Sequence, residues 1–286
     1  MFDALVETEV LAAHLADPAW VVADCRSSIT DPEEGPRRYA AGHIPGAHHL
    51  HLERDLSGPL APDTGRHPLP DPAQLAEVLG RAGIGAGTQV VAYDDAGGAY
   101  AARLWWLLRW LGHTDAAVLN GGWQQWIKEE RLVSTEPPRV EPRRFDLHEP
   151  RRDMWLSTSE VLEIVRGRKH GLLLDVRGPK RFRGEEEPID PVAGHVPGAA
   201  NLPFAGNVAE DGRFHCPAVL RQRFETVLAG AKPEQVVCMC GSGVTACQGL
   251  LAMEVAGLKG GRLYAGSWSE WIRDAGRPVA READGV

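Results

Sequence analysis

No run of about 18 apolar residues, the length a bilayer-spanning helix needs, occurs in this sequence. An excess of positive charge is also missing. Acids outnumber bases 39 to 31 for a net charge of −8, which argues against nucleic acid as a partner. The opening Met1-Phe2-Asp3-Ala4-Leu5-Val6-Glu7 has acids where a secretory leader carries positive charge, so a cytoplasmic protein without membrane association is expected. Cysteine is scarce. Its five positions (25, 216, 238, 240, 247) are an odd number without the spacing of a disulfide framework, which fits a reducing compartment. What is present is an ordinary globular composition, 43% hydrophobic and 24% charged, over 286 residues, enough for two domains.

Cys240 opens the segment Cys240-Gly241-Ser242-Gly243-Val244-Thr245-Ala246. Before it, Val236-Val237-Cys238-Met239 reads as a buried parallel strand; after it, Cys247, Leu250, Leu251, Val255 and Leu258 share one helical face, with Gly257 as a stop. Gly241 and Gly243 permit backbone conformations that a Cβ resists, so successive N–H groups can curl toward the sulfur. Such a nest stabilises a thiolate, the nucleophilic form of cysteine. A buried structural cysteine beside a glycine turn is the competing reading. A cysteine-dependent phosphatase is disfavoured, because the arginine it needs to grip phosphate would stand at Ala246. The loop carries no Lys or Arg, so its ligand would meet backbone N–H groups and the hydroxyls of Ser242 and Thr245.

The chain also repeats itself. Asp24-Cys25-Arg26 matches Asp175-Val176-Arg177, and Gly42-His43-Ile44-Pro45-Gly46-Ala47 matches Gly194-His195-Val196-Pro197-Gly198-Ala199. Val90-Val91 matches Val236-Val237, and the Trp123 and Trp126 pair matches Trp268 and Trp271. Each copy alternates strand-like and helix-like segments, the pattern of an α/β unit with a mainly parallel sheet. The proline-rich and arginine-rich stretch 136–152 reads as a linker between domains 1–135 and 153–286. In this alignment Asp94 stands opposite Cys240, so only the second copy has a nucleophile.

Together these features resemble the two-domain sulfurtransferases of the rhodanese superfamily. The marks are the Cys240 loop, the two Gly-His-(Ile/Val)-Pro-Gly-Ala turns, Tyr264-Ala265-Gly266-Ser267-Trp268-Ser269-Glu270-Trp271, and Ala102-Arg103-Leu104-Trp105-Trp106 in the copy without a nucleophile. The resemblance implies two tandem rhodanese-like domains, each a mainly parallel sheet flanked by helices on both faces, the first non-catalytic, and a Cys240 persulfide that carries sulfane sulfur without a cofactor. The donor would be 3-mercaptopyruvate or thiosulfate; cyanide or a thiol, thioredoxin included, would be the acceptor. Gly241, Gly243, Val244 and Thr245 would cradle the substrate. The neutral Gly241-Ser242-Gly243 is similar to the mercaptopyruvate enzymes and favours that donor. Arg181 matches the first of the two arginines that hold the donor carboxylate there. The second falls at Ile189, a departure for which Arg183 is the candidate substitute. A proton relay of Ser242, His67 and a carboxylate at Glu53, with Asp55 nearby, is also implied.

Other residues read as scaffold. His43 and His195 occur in both copies and fit structural hydrogen bonds, as Asp24, Arg26, Asp175 and Arg177 fit scaffold ion pairs. His48-His49-x-His51, or Cys238 and Cys240 with His215-Cys216, lacks a second ligand pair at zinc-like spacing, so no metal is expected. Cys247 reads as a core residue, or as a partner for Cys240 in a regulatory disulfide. Two other classes of function stay open: a persulfide carrier serving a protein partner, and a redox sensor using Cys240 and Cys247.

Overall fold

In a computed structural model, which describes residues 1–139 and 141–281, the apolar β-branched runs of both copies form central strands buried on both faces, as a parallel sheet requires. Strands β1 (Leu5–Val6), β2 (Trp20–Asp24), β3 (His48–His49), β4 (Gln89–Tyr93) and β5 (Ala116–Leu119) form one sheet, ordered β1-β5-β4-β2-β3. Strands β6 (Trp155–Leu156), β7 (Leu172–Asp175), β8 (Ala200–Asn201), β9 (Val236–Met239) and β10 (Arg262–Tyr264) form the other, ordered β6-β10-β9-β7-β8. Every pairing is parallel, and the two orders correspond strand for strand. The tandem α/β reading therefore holds, with helices flanking each sheet. Among the described residues no helix is long and apolar enough to cross a membrane.

The chain divides into two compact units. Of the described residues, 1–58, 69–139, 141–151 and 208–214 form the first; residues 59–68, 152–207 and 215–281 form the second. Two short segments thus pack with the opposite half of the sequence. Phe214 is buried in the first unit, where its backbone N–H donates to Asn120 Oδ1 at 2.9 Å. The proline-rich stretch after residue 136 lies along the same unit, with Phe145 buried and the Arg143 N–H bonded to the Gly80 carbonyl.

Repeated residues do the same structural job in each copy. Arg26 Nη2 donates to the Gly42 carbonyl at 2.7 Å while Nε meets Asp24; Arg177 Nη2 donates to Gly194 at 2.8 Å and to Asp175 at 2.7 Å. Each pair ties the end of a strand to the following Gly-His-x-Pro-Gly turn, and burial makes both partners obligatory. Trp126 and Trp271 fill the two cores, their indole N–H groups satisfied by the carbonyls of Leu132 and Pro278.

The loop after β4 shows what this backbone does with an anion. The buried Asp94 carboxylate accepts N–H bonds from Ala96 (2.9 Å), Gly98 (2.9 Å), Tyr100 (2.7 Å) and Ala101 (2.8 Å). Burial pushes its carboxyl upward, and the four N–H groups oppose that shift. Replacing Asp94 by alanine strands those donors in the interior, and stability should fall by about 3 kcal/mol. A urea midpoint indistinguishable from wild type would contradict the anion-nest assignment.

Candidate functional site

Cys240 follows β9, the middle strand of the second sheet. From β7 the chain continues to β8 on one side, and from β9 to β10 on the other. The crevice between the C-terminal ends of β7 and β9 is thus the place where an α/β sheet takes its ligand. The Gly243 N–H donates to Cys240 Sγ at 3.1 Å. Gly243 has φ +81°, and a methyl group there would lie 2.3 Å from the Ala265 carbonyl oxygen, so only glycine fits without movement. Beneath the loop, the N–H groups of Trp268 and Ser269 take the carbonyls of Cys240 (3.0 Å) and Gly241 (2.8 Å). Cys240 N–H donates to Ser267 Oγ at 3.1 Å, and Ser267 itself sits at φ 52°. With the Cys240 and Gly241 carbonyls held from below, the loop turns the Gly243 N–H toward the sulfur. Val244 is buried and Thr245 begins the helix Thr245–Val255, whose first N–H groups have no intrahelical acceptor.

The other two cysteines of this neighbourhood are built differently. Cys238 lies inside β9 against Met253, and burial pushes its thiol strongly up, which makes it inert. Cys247 is buried and donates to the Gly243 carbonyl at 3.3 Å, pinning the loop from the helix side. All five cysteines are free thiols.

Residues 59–68 pack beside this loop as part of the second unit. Gly65 permits the approach, because a methyl group there would be 2.6 Å from the Gly266 carbonyl. Arg66 N–H donates to Ser269 Oγ (3.0 Å), and Arg273 Nε to the Thr64 carbonyl (3.1 Å). The segment delivers His67, buried, with Nδ1 2.7 Å from Ser242 Oγ. Two residues far apart in sequence are thereby brought within hydrogen-bonding distance. It also delivers Arg66, which the sequence reading passed over. A methyl on Gly241 would lie 2.8 Å from Arg66 Nη2 and 3.6 Å from both terminal nitrogens of Arg181. Two guanidiniums therefore stand over the loop. The signal for Arg66 was its adjacency to His67, in a segment read only for the histidine.

These arginines end a chain of alternating charges. Arg177 pairs with Asp175 (2.7 Å) and Glu187 (3.4 Å), Arg181 with Glu187 (2.6 Å) and Asp190 (3.1 Å), and Arg66 with Asp190. Burial works against the Arg177 charge, but Asp175, Glu187 and the nearby Cys240 sulfur more than offset it. Arg183 forms a partly exposed pair with Glu185 at 2.7 Å. Ile189 leaves its side chain out of the chain of charges and donates its N–H to Glu187 Oε1 at 3.2 Å.

The remaining candidates are placed as follows. Glu53 is exposed, its N–H donates to His51 Nδ1, and its carboxylate makes no bond to any described residue. The Asp55 carboxylate instead caps its own turn by accepting the His51 N–H at 2.7 Å. His43 and His195 present Nδ1 to the carbonyls of Tyr39 (2.9 Å) and Phe182 (2.8 Å). His49 and His51 present Nε2 to the carbonyls of Arg26 and Pro32. Among the described residues no group of three or more His, Cys, Asp or Glu is arranged to hold a metal.

The family model for the rhodanese-like domain matches residues 7–129 and again residues 157–274. A probable 3-mercaptopyruvate sulfurtransferase of Pseudomonas aeruginosa is 48% identical over 278 residues, covering 96% of this chain and 97% of that protein. Thiosulfate sulfurtransferase of Rattus norvegicus is 33% identical, over 100% of this chain and 97% of the relative. The solved 3-mercaptopyruvate sulfurtransferase of Leishmania major superposes with a TM-score of 0.83 at 30% identity, over 94% of this chain and 74% of that one. The chain belongs to the rhodanese superfamily, among its two-domain sulfurtransferases.

Proposed function

We propose that the protein transfers sulfane sulfur from 3-mercaptopyruvate to cyanide or a thiol through a persulfide on Cys240. One observation carries this reading: the Gly243 N–H bond to Cys240 Sγ inside a loop whose Cys240 and Gly241 carbonyls are bonded to the N–H groups of Trp268 and Ser269. The Cys240 thiolate attacks the donor sulfur, an S–S bond forms, and the carbon–sulfur bond breaks with its electron pair passing to the enolate of pyruvate. Ser242, hydrogen-bonded to His67 at 2.7 Å, relays the donor's thiol proton to that enolate, leaving pyruvate and an ionised persulfide. The terminal sulfur inherits the negative charge and the N–H cradle, as the Asp94 carboxylate does in the first unit. Cyanide then takes the terminal sulfur as thiocyanate and restores the thiolate. A dithiol such as reduced thioredoxin would release it as sulfide while forming its own disulfide, in keeping with a cytoplasmic setting. Arg181 and Arg66 receive the donor carboxylate, which supplies the second cation missing at Ile189.

The 48% identical relative named for mercaptopyruvate supports this donor. Initial rates with cyanide as acceptor should give kcat/KM for 3-mercaptopyruvate at least about tenfold above thiosulfate, the worth of one charge-assisted contact. Equal or better use of thiosulfate would make that the donor.

A further inference from the structure

We propose that Asp190 sets the donor selectivity by holding the charge over the Cys240 loop to a value suited to a monoanion. The inference rests on the sulfur-transfer reading above and concerns how that site tells its donors apart.

Asp190 is buried, lies between the two loop-facing guanidiniums, and binds each with a different oxygen, Oδ1 to Arg66 Nη1 and Oδ2 to Arg181 Nη2. It thus acts as a clamp that fixes both arginines against Gly241. It also cancels charge. The connected set contains three guanidiniums (Arg66, Arg177, Arg181) and three carboxylates (Asp175, Glu187, Asp190), so it sums to zero. A neutral, pre-aligned pair of forks is sufficient for the single carboxylate of mercaptopyruvate. Thiosulfate brings a second negative charge toward a cysteine that must itself be a thiolate, and nothing in the set compensates that charge. Asp190 is therefore a positioning and selectivity residue that acts through Arg66 and Arg181 without touching the reacting sulfur.

Its environment offers a second handle. Burial pushes the Asp190 carboxyl up and Glu187 adds to the shift, against the opposing charges of Arg66, Arg181 and Arg177. As pH falls through that raised range the carboxylate takes a proton and the set gains one positive charge. Thiosulfate use should then rise relative to mercaptopyruvate. Taking the ratio of donors at each pH cancels the ionisation of cyanide and of Cys240.

The test compares wild type with Asp190→Asn and Asp190→Glu in the full-length protein. For Asp190→Asn, kcat/KM with mercaptopyruvate should fall about tenfold as the clamp loosens, and with thiosulfate should rise about tenfold from the uncancelled charge. The pH dependence of the donor ratio should vanish in the same variant. Asp190→Glu, which keeps the charge, should hold the wild-type ratio within about threefold. Activities on both donors that fall together in Asp190→Asn, with an unchanged ratio, would reduce Asp190 to a structural residue and overturn the proposal. An independent readout is protection of Cys240 from iodoacetamide by sulfate, a dianion, against pyruvate, a monoanion. Asp190→Asn should lower the half-protecting sulfate concentration about tenfold more than that of pyruvate, and equal shifts for both would also overturn it. If wild type used neither donor, the functional reading would fail, while the protection ratio would still decide the role of Asp190.

Discussion

Cys240→Ser should lower sulfur transfer from either donor by a factor on the order of 10⁴ or more, because no other group of the loop can take over the nucleophile. The serine oxygen fits the same space and receives the same Gly243 N–H, so folding should be unaffected. It cannot form a persulfide with the donor sulfur. Wild type incubated with mercaptopyruvate should gain the mass of one sulfur atom on the peptide containing Cys240, and the variant should gain none. Cys216→Ser, at an exposed position preceding the helix Pro217–Leu228, should keep full activity and serves as the control. Transfer by Cys240→Ser above roughly a hundredth of wild type would place the nucleophile elsewhere. A persulfide found instead on Cys247 would say the same.

Gly243→Ala should be the most damaging change that leaves every reactive side chain in place. The new methyl would sit 2.3 Å from the Ala265 oxygen and 3.1 Å from its carbonyl carbon, both backbone atoms that cannot swing aside. The left-handed conformation adds about 1–2 kcal/mol for any residue with a Cβ. The loop can relieve both only by moving, and the Gly243 N–H then leaves the sulfur. We expect a stability loss of about 2–4 kcal/mol by urea denaturation and a kcat about 100-fold lower. Gly241→Ala is the informative contrast. Its methyl would meet Arg66 Nη2 at 2.8 Å, the far end of a flexible side chain. It should unfold near the wild-type midpoint while weakening donor binding. If Gly243→Ala were as mild as Gly241→Ala in both assays, the N–H contact to Cys240 would not matter for catalysis.

Much of this molecule is legible in its sequence. The strands Val236–Met239 and Ala116–Leu119 begin and end where the apolar runs do, because a fully buried parallel strand must be apolar throughout its length. The Asp-x-Arg and Gly-His-x-Pro-Gly-Ala blocks marked the repeat, and in the structure each arginine bonds the carbonyl of its own turn glycine. Asp94 was legible as the counterpart of Cys240. Its role as a built-in anion held by four backbone N–H groups was not, because a loop's N–H directions depend on φ and ψ values that Gly97 and Gly98 allow but do not dictate.

The second guanidinium shows the limit most clearly. Reading along the chain, the position expected to hold it carries Ile189, and Arg183 was the nearest substitute. Arg183 pairs with Glu185, while a guanidinium beside Gly241 comes from Arg66, 124 residues away from the Asp190 that clamps it. His67 reaches Ser242 across 175 residues in the same way. Spacing and periodicity along a chain specify strands, helices and turns, because those are set by neighbours within a few positions. On those grounds the sequence by itself determined the two α/β repeats and the glycine loop that Cys240 opens. Only the tertiary structure decided which charges face that loop, since the packing of residues 59–68 against the second sheet's loops sets those distances and no local pattern encodes them.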